Sequence, residues 1–491
     1  MKVSHCYFSM RIGGVEQNLL RTLPRFLEDS QFEHELILSH GSGPLMKKLP
    51  KKLTVHILEA GSRFQDLSRR LKETDLVHLY TINLSPFYRE AAFLHNTPVV
   101  DNIRNMISCP APQRVDFIGC ASQAIGNMQS APPRVRIIPN GLEVDKNQQP
   151  DYGKFSSESP PVLLEVGRPD KIRLFTAENL VPALRRRFPD LTCHVVGREG
   201  EDSEGIIYHG EIADPRPFYR RAHFLIHFPE LEPFGMTVPE SYRDGVIPIA
   251  GGKGGISELI VDQKTGFYLR QPDVRTIIDK IERLIIKLRE KPEKLKKLAV
   301  AGFERLLDKY SISSYLRGYE KLYADLACSA RTSPLPEIKW SDDFCALFEK
   351  ISFSGKDNFD WISSIDDLGG APEERDWARL YASGKLSTAR PSEVIELLSG
   401  LESKRFKTDF EYYLRRCEAL AFRGKPAVAL EAARSAIKTN PEIANPYFLG
   451  AELLLRQDRP RQARLLLQKF RNYAPSYPPL EAMLSKLNQI C

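Results

Sequence analysis

Two glutamates, Glu232 and Glu240, have seven residues between them within HFLIHFPELEPFGMTVPESYRDGVIPIAGGKGGISELIVDQKTGFYL, residues 223–269. Carboxylates at such positions can accept hydrogen bonds from sugar hydroxyls. The apolar run FLIHF ahead of them predicts a buried strand. VIPIA behind them predicts a second, and it runs into Gly251-Gly252 and Gly254-Gly255. Glycines just past parallel strands let a backbone come close to a diphosphate, and the N–H groups opening the next helix point at the anion. Thr237 and Glu240, three positions apart, share one helix face. Pro239 fits there because a first helical turn tolerates a missing N–H. Glu232 is expected on the loop before that helix, free to meet another part of the ligand. Together these features suit a nucleotide sugar: diphosphate on backbone, ribose on Glu240. The competing reading takes Glu230, Glu232 and Glu240 as ordinary acids at a helix start, favoured by its dipole.

Such an edge needs a parallel sheet behind it, and the chain supplies two. Residues 1–150 alternate strand-like runs (VSHCYFS, HELILS, LTVHIL, LVHLY, PVVDNI, FIGCAS, RVRIIPN) with helix-like spacing such as VEQNLLRTLPRFL. Residues 151–328 repeat the pattern with VLLEVG, LTCHVVG, GIIYHG, HFLIHF and VIPIA. Both halves read as doubly wound α/β lobes facing a cleft. Asn140-Gly141 and the loose DKNQQPDYGKFSSESPP stretch divide them as a hinge. Gly13-Gly14 lies between the first strand and first helix, which admits either a phosphate approach or a plain tight turn.

Residues 329–375 are expected as a linker. Beyond it, 376–491 is helical and repetitive. Lys425-Pro426 matches Arg459-Pro460, Ala429 matches Ala463, Leu420 matches Leu454, and Asn440-Pro441 matches Ala474-Pro475, all at an offset of 34. That period, with a closing proline, resembles the tetratricopeptide repeat. EVIELLSGLESKRF reads as a degenerate earlier copy. Stacked helix pairs form concave surfaces, which implies a protein partner or self-association, or a buttress for the lobes.

The bulk numbers narrow the class. A chain of 491 residues exceeds one core. Hydrophobic content of 42% and charged content of 27% are those of a globular protein. No stretch approaches the ~20 apolar residues a membrane helix needs. The start lacks a signal layout, so cytoplasmic residence is expected. The eight cysteines are scattered, with no zinc or redox spacing. The net charge of +7 gathers at 47–52, 69–72 and 185–187. These clusters read as solvated surface, or as weak attraction to an anionic membrane at its inner face. No nucleic-acid motif is present.

Residues Lys2 to Cys328 resemble the retaining GT-B glycosyltransferases of family 4. The resemblance rests on GGVEQNLL, IPNGLEVD, EVGRPDK, CHVVG and the stretch from Glu232 to Leu269, in that order, with SSYLRGYEKLYADL similar to the helix that crosses back to the first lobe. It implies that Arg168 grips the donor diphosphate, with Lys171 or Arg173 as its basic companion. It implies that Glu240 binds ribose, that Glu232 lies close to the transferred sugar, and that Gly235, Met236 and Thr237 offer backbone N–H groups. Gly14 would line the donor from the first lobe. The implied activity moves a sugar from a nucleotide donor, a UDP-sugar, to a glycan or lipid-linked glycan, as in cell-surface polysaccharide synthesis. The chain has no D-x-D motif, and a basic clamp serves the leaving group, so neither metal nor cofactor is expected. Two departures stand out. Where many relatives carry a histidine after the PVVDNI strand, this chain has Asn102, Arg104 and Asn105. The usual small residues after the second glutamate are replaced by SYRDG, 241–245. These changes motivate an alternative, a degenerate transferase acting as a scaffold through its repeats.

Overall fold

The computed structural model describes residues 1–491 except 12, 42, 81–84, 110, 168–175, 329–340, 354–362, 366, 369–371, 387–389, 403 and 491. The first lobe comprises β1 (Lys2–Tyr7), α1 (Gly14–Asp29), β2 (Glu33–Leu38), β3 (Thr54–Ile57), α2 (Arg63–Leu71), β4 (Leu76–Tyr80), α3 (Ser85–Leu94), β5 (Val99–Ile103), β6 (Phe117–Cys120), α4 (Gln123–Gly126) and β7 (Val135–Ile137). Its strands pair in parallel in the order β3-β2-β1-β4-β5-β6-β7. The second lobe comprises β8 (Val162–Val166), α5 (Ala177–Arg185), β9 (Thr192–Val196), β10 (Ile206–Tyr208), α6 (Arg216–Arg221), β11 (Phe224–His227), β12 (Leu231–Glu232), α7 (Thr237–Arg243), β13 (Ile247–Ala250), β14 (Lys253–Gly254), α8 (Ile256–Leu259), β15 (Phe267–Tyr268), α9 (Val274–Glu290), α10 (Pro292–Arg305) and α11 (Ile312–Cys328). The main sheet runs β10-β9-β8-β11-β13-β15, again parallel. β1, β4, β5 and β11 are buried almost throughout. Strands covered on both faces are near-continuous apolar runs, which is why their sequences lack alternation.

The second lobe closes its own core. Leu163, Cys193, Ile226 and Ile249 of the sheet pack against Leu180 and Leu184 of α5 and Ile277, Ile281 and Ile285 of α9. The first lobe borrows its cover. Tyr315, Tyr319 and Tyr323, one turn apart along α11, pack among Val3, Phe26 and Val100. His78 of β4 stacks on Tyr80, ring centroids 4.5 Å apart, and meets the Tyr323 hydroxyl. The two chain crossings between lobes lie side by side. Leu142 N–H donates to Tyr310 O at 2.8 Å, and Ile312 N–H to Leu142 O at 2.9 Å. A Cβ on Gly141 would stand 2.8 Å from Ile312 Cα, so this hinge requires glycine.

The helical region follows as α12 (Asp342–Phe353), α13 (Pro372–Leu386), α14 (Pro391–Ser399), α15 (Lys404–Lys407), α16 (Phe410–Phe422), α17 (Pro426–Thr439), α18 (Asn445–Arg456), α19 (Pro460–Arg471) and α20 (Pro478–Ile490). The expectation of a plain linker over 329–375 is corrected by α12. Phe344 and Phe348 of that helix pack on Phe64, Phe87 and Trp377, placing α12 in one continuous core with the first lobe. Polar ties reinforce the contact. The Glu349 carboxylate accepts from the N–H groups of Gly61 and Arg63 at 3.1 and 3.0 Å, serving the start of α2. Arg114 pairs with Asp409 at 3.2 Å, and Ala444 N–H donates to Ser130 O at 2.6 Å. The pairs α16/α17 and α18/α19 repeat at the offset of 34 seen in the sequence. Pro426 and Pro460 open their second helices, and Ala429 and Ala463 are fully buried. Gly424 and Asp458 hold the matching left-handed turn, φ +68° and +53°.

Candidate functional site

In the second sheet the strand order reverses between β8 and β11, and the crevice at the carboxyl ends of such strands is the usual ligand edge. Gly197, at the end of β9 with φ +98°, lets that strand end approach β8: a Cβ there would fall 2.7 Å from Gly167 O. Glu165, 1% exposed at the end of β8, accepts from Ala177 N–H at 2.7 Å and from Arg198 Nε at 2.9 Å. It thereby fixes both ends of the β8–α5 connection. Burial pushes this carboxyl up, and Arg198 pulls it back. Arg198 is a charged edge residue that the sequence reading passed over. It is also paired with Glu178 at 2.6 Å, which marks it as a support for the connection. Arg168, Lys171 and Arg173 belong to that connection and lie outside the described residues.

Glu232 is not on a free loop. It forms the two-residue strand β12, paired with Gly254 of β14. The loop leaving β13 returns beside it, and only glycine fits there: Gly254 has φ +99°, and a Cβ would lie 2.2 Å from Glu232 O. The ladder holds Glu232 at 8% exposure. Gly235, φ +101°, then turns the chain through Met236 into α7. Thr237 opens the helix with its Oγ1 buried and without a hydrogen-bond partner among the described residues. Glu240, one turn on, accepts from the Tyr219 hydroxyl of α6 at 3.1 Å. Burial deep in the cleft pushes its carboxyl above the ordinary carboxylate range; Arg243, the Tyr219 hydrogen bond and Arg21 pull it back. Thus Glu232, Gly235, Met236, Thr237 and Glu240 form one short unit. A groove of about 980 Å³ runs beside it over the ends of β11, β13 and β15, lined by Phe228, Glu230, Lys253, Tyr268 and Arg270.

The first lobe faces this unit directly. Ser122 Oγ donates to Pro233 O at 2.7 Å, and the Glu258 carboxylate accepts from the N–H groups of Gln123 and Ala124 at 2.8 and 2.9 Å. The second lobe therefore caps α4 of the first. Gly14 is the first residue of α1, with nothing within 4 Å of a Cβ placed on it, while the Glu16 carboxylate turns back beside Gly13. Burial holds Arg21, farther along α1, below the usual guanidinium range, and the charge of Glu240 in the second lobe pulls it back up. At the end of β5, Asn102 and Arg104 both donate to the Tyr315 hydroxyl of α11, at 3.2 and 3.1 Å. The sequence could not relate Arg21 to Glu240, because the two lie on different lobes. Among the described residues no group of His, Cys, Asp and Glu could hold a metal ion, and no helix is long and apolar enough to cross a membrane.

Residues 153–301 match the glycosyl transferases group 1 family. The Dictyostelium discoideum alpha-1,3/1,6-mannosyltransferase ALG2 is 32% identical over 102 residues, covering 21% of this chain and 23% of that protein. The trehalose synthase of Pyrococcus horikoshii is 25% identical over 182 residues, 32% of this chain and 42% of that one. The chain thus spans less than half the length of these relatives. Among solved structures, a glycosyltransferase from Rickettsia africae superposes with a TM-score of 0.54 at 15% identity, over 67% of this chain and 99% of that one. Anabaena HepE in complex with UDP superposes at 0.53 and 16%, over 66% and 100%. The two lobes therefore have the GT-B fold, and the second of them carries a glycosyl transferases group 1 domain.

Proposed function

We propose that this chain is a retaining glycosyltransferase of family 4 that moves a hexose from a UDP-sugar to a glycan or lipid-linked acceptor, as in polysaccharide assembly. The observation that carries the reading is the β12–α7 unit: a buried threonine hydroxyl with no hydrogen-bond partner among the described residues, one turn from a cleft carboxylate already oriented by a tyrosine. In this reading Glu240 accepts the ribose hydroxyls, Glu232 meets the sugar, and the N–H groups of Gly235, Met236 and Thr237 meet phosphate or sugar oxygens. As the anomeric bond breaks, negative charge grows on the diphosphate. Arg168, with Lys171 or Arg173, would stabilise that charge electrostatically. Gly14 would leave room for the donor beneath α1. The clamp is basic, so leaving-group charge is met by side chains and the reaction is proposed as metal-independent. The named relatives are transferases and synthases, which does not favour the scaffold alternative. The helical region would act as tetratricopeptide-like repeats that dock a protein or a second copy, at or near the cytoplasmic face of a membrane.

The test is donor binding and turnover in Glu240→Ala and Arg168→Ala, against a mass-spectrometric panel of nucleotide sugars. Loss of both supports the assignment. Unchanged donor binding in the two variants would remove it.

A further inference from the structure

The groove over the ends of β11, β13 and β15 has no part in the donor reading, yet it is built. The Tyr268 hydroxyl donates to Gly252 O at 2.8 Å, and Leu269 N–H donates to Ala250 O at 2.8 Å, so the segments leaving β13 and β15 are tied together. Lys253 N–H donates to Glu230 O at 3.2 Å, which ties them to the segment leaving β11. The space enclosed is about 980 Å³, at the upper end of the ~300–1,000 Å³ of small-molecule sites. A single sugar would fill only part of it. Lys253 and Arg270 line the groove, both are exposed, and neither side chain has an ion pair or a hydrogen bond among the described residues. Glu230 is the one acid in the lining, so the two cations leave the groove positive. Ser257, Gln271 and the Tyr268 ring add a hydroxyl, an amide and an apolar surface, the mixture that fixes a sugar in place.

We infer that this groove holds the acceptor, and that the acceptor is a sugar chain of more than one residue carrying a negative group, a carboxylate or a phosphate. The inference rests on the proposed transferase reading and narrows its acceptor. Position separates the groove from the donor diphosphate. That group is assigned to the β8–α5 connection, and in the sheet β11 stands between β8 and the pair β13 and β15. Position also joins the groove to the transferred sugar. In the β12–β14 ladder Lys253 pairs with Leu231 and Gly254 with Glu232, so the groove begins beside the carboxylate assigned to that sugar. Lysine and arginine both suit an oxyanion, the first as a point charge and the second as a fork.

The test uses the full chain saturated with UDP, titrated calorimetrically with tetragalacturonate, with maltotetraose 1-phosphate, and with maltotetraose as the uncharged control. One or both charged chains should bind about fivefold tighter than maltotetraose, and the tighter of the two identifies the group. Lys253→Gln and Arg270→Gln, both at exposed positions, should each weaken that chain about two- to fivefold, the range of a solvent-exposed ion pair, with UDP affinity retained. Ser257→Trp, at an exposed position on α8, should weaken it about tenfold by filling the groove, again with UDP affinity retained. Charged chains that bind no better than maltotetraose, or variants that bind them unchanged, would overturn the inference. So would a matching loss of UDP affinity in the variants, which would assign the groove to the donor. If UDP fails to bind the unmodified protein, the donor reading falls, and the same titrations on the unloaded protein then decide the groove alone.

Discussion

The two lobes share one strand order and differ in how they are finished. The second lobe covers both faces of its sheet with its own helices and leaves its carboxyl edge lined by acids and glycine turns. The first lobe is covered by α11, which arrives from the second lobe, and by α12 and α13 of the helical region. Topology alone places a crevice in each. Side chains decide the rest: the edge of the second lobe carries Glu232, Glu240 and the turns at Gly235 and Gly254. The difference also predicts unequal dependence on the C-terminal third.

The largest effect should come from Trp377→Ala. Trp377 is 1% exposed and stacks on Phe348 at 4.5 Å, in the core shared with Phe64 and Phe87. Truncating a buried Trp costs about 3–5 kcal/mol. Hydrogen exchange should show lost protection in β4 and β5 while β9 and β11 keep theirs. Equal loss in both sheets would refute the picture of a borrowed first-lobe core.

Next in size is Glu240→Ala. If this carboxylate acts in the transition state as it does in binding, turnover should fall by about 10²–10³, the range for one preorganised polar contact. The pH profile sharpens the point. In the proposed role Glu240 must be ionised to accept the ribose hydroxyls, and burial holds its carboxyl above the ordinary 4.5. Activity should therefore decline on the acid side at a higher pH than for a free glutamate. Tyr219→Phe or Arg243→Ala removes an interaction favouring the charged form, so either should move that limb further up. A limb that does not move would detach these residues from Glu240.

Much of this was legible in the sequence, for specific reasons. Parallel strands buried on both faces are apolar runs, so β1, β4, β8, β11 and β13 were visible. The offset of 34 was visible because proline and alanine recur where helices start and cross. Other features leave no local trace. β12 and β14 are two residues long, too short for any period, so Glu232 was expected on a loop. β15 is equally short. α12 sits between stretches of mixed composition, and its apolar face has meaning only against Phe64 and Phe87.

A smaller effect tests how the lobes meet. Glu258→Ala removes the carboxylate that caps α4 from the opposite lobe. Charged contacts at helix starts are worth about 0.3–2 kcal/mol. A loss of about tenfold in kcat/KM is expected, at most, with a larger radius of gyration in solution. Full activity with an unchanged radius would mean that Ser122 and the hinge hold the lobes together without it.

The smallest effect compares one buried histidine in each lobe. His34 in β2 and His223 before β11 are both lowered from 6.5 to about 4, by burial above all. For His223 the neutral form is fixed by its bonds: Nδ1 accepts from Val162 N–H at 3.1 Å, and Nε2–H donates to Lys154 O at 2.8 Å. Between pH 6.5 and 4 the unfolded chain binds a proton that the folded chain refuses, so stability falls as the pH falls through that window. Above 6.5 the contribution is complete and constant. Each histidine should cost about 1 kcal/mol on going from pH 6.5 to 5.5. His223→Gln should remove its share of that slope, leaving the second lobe less acid-sensitive and the first unchanged. His34→Gln should do the reverse, read by lobe-resolved hydrogen exchange at the two pH values. If either variant flattened the acid response of both lobes alike, the lobes would be one cooperative unit.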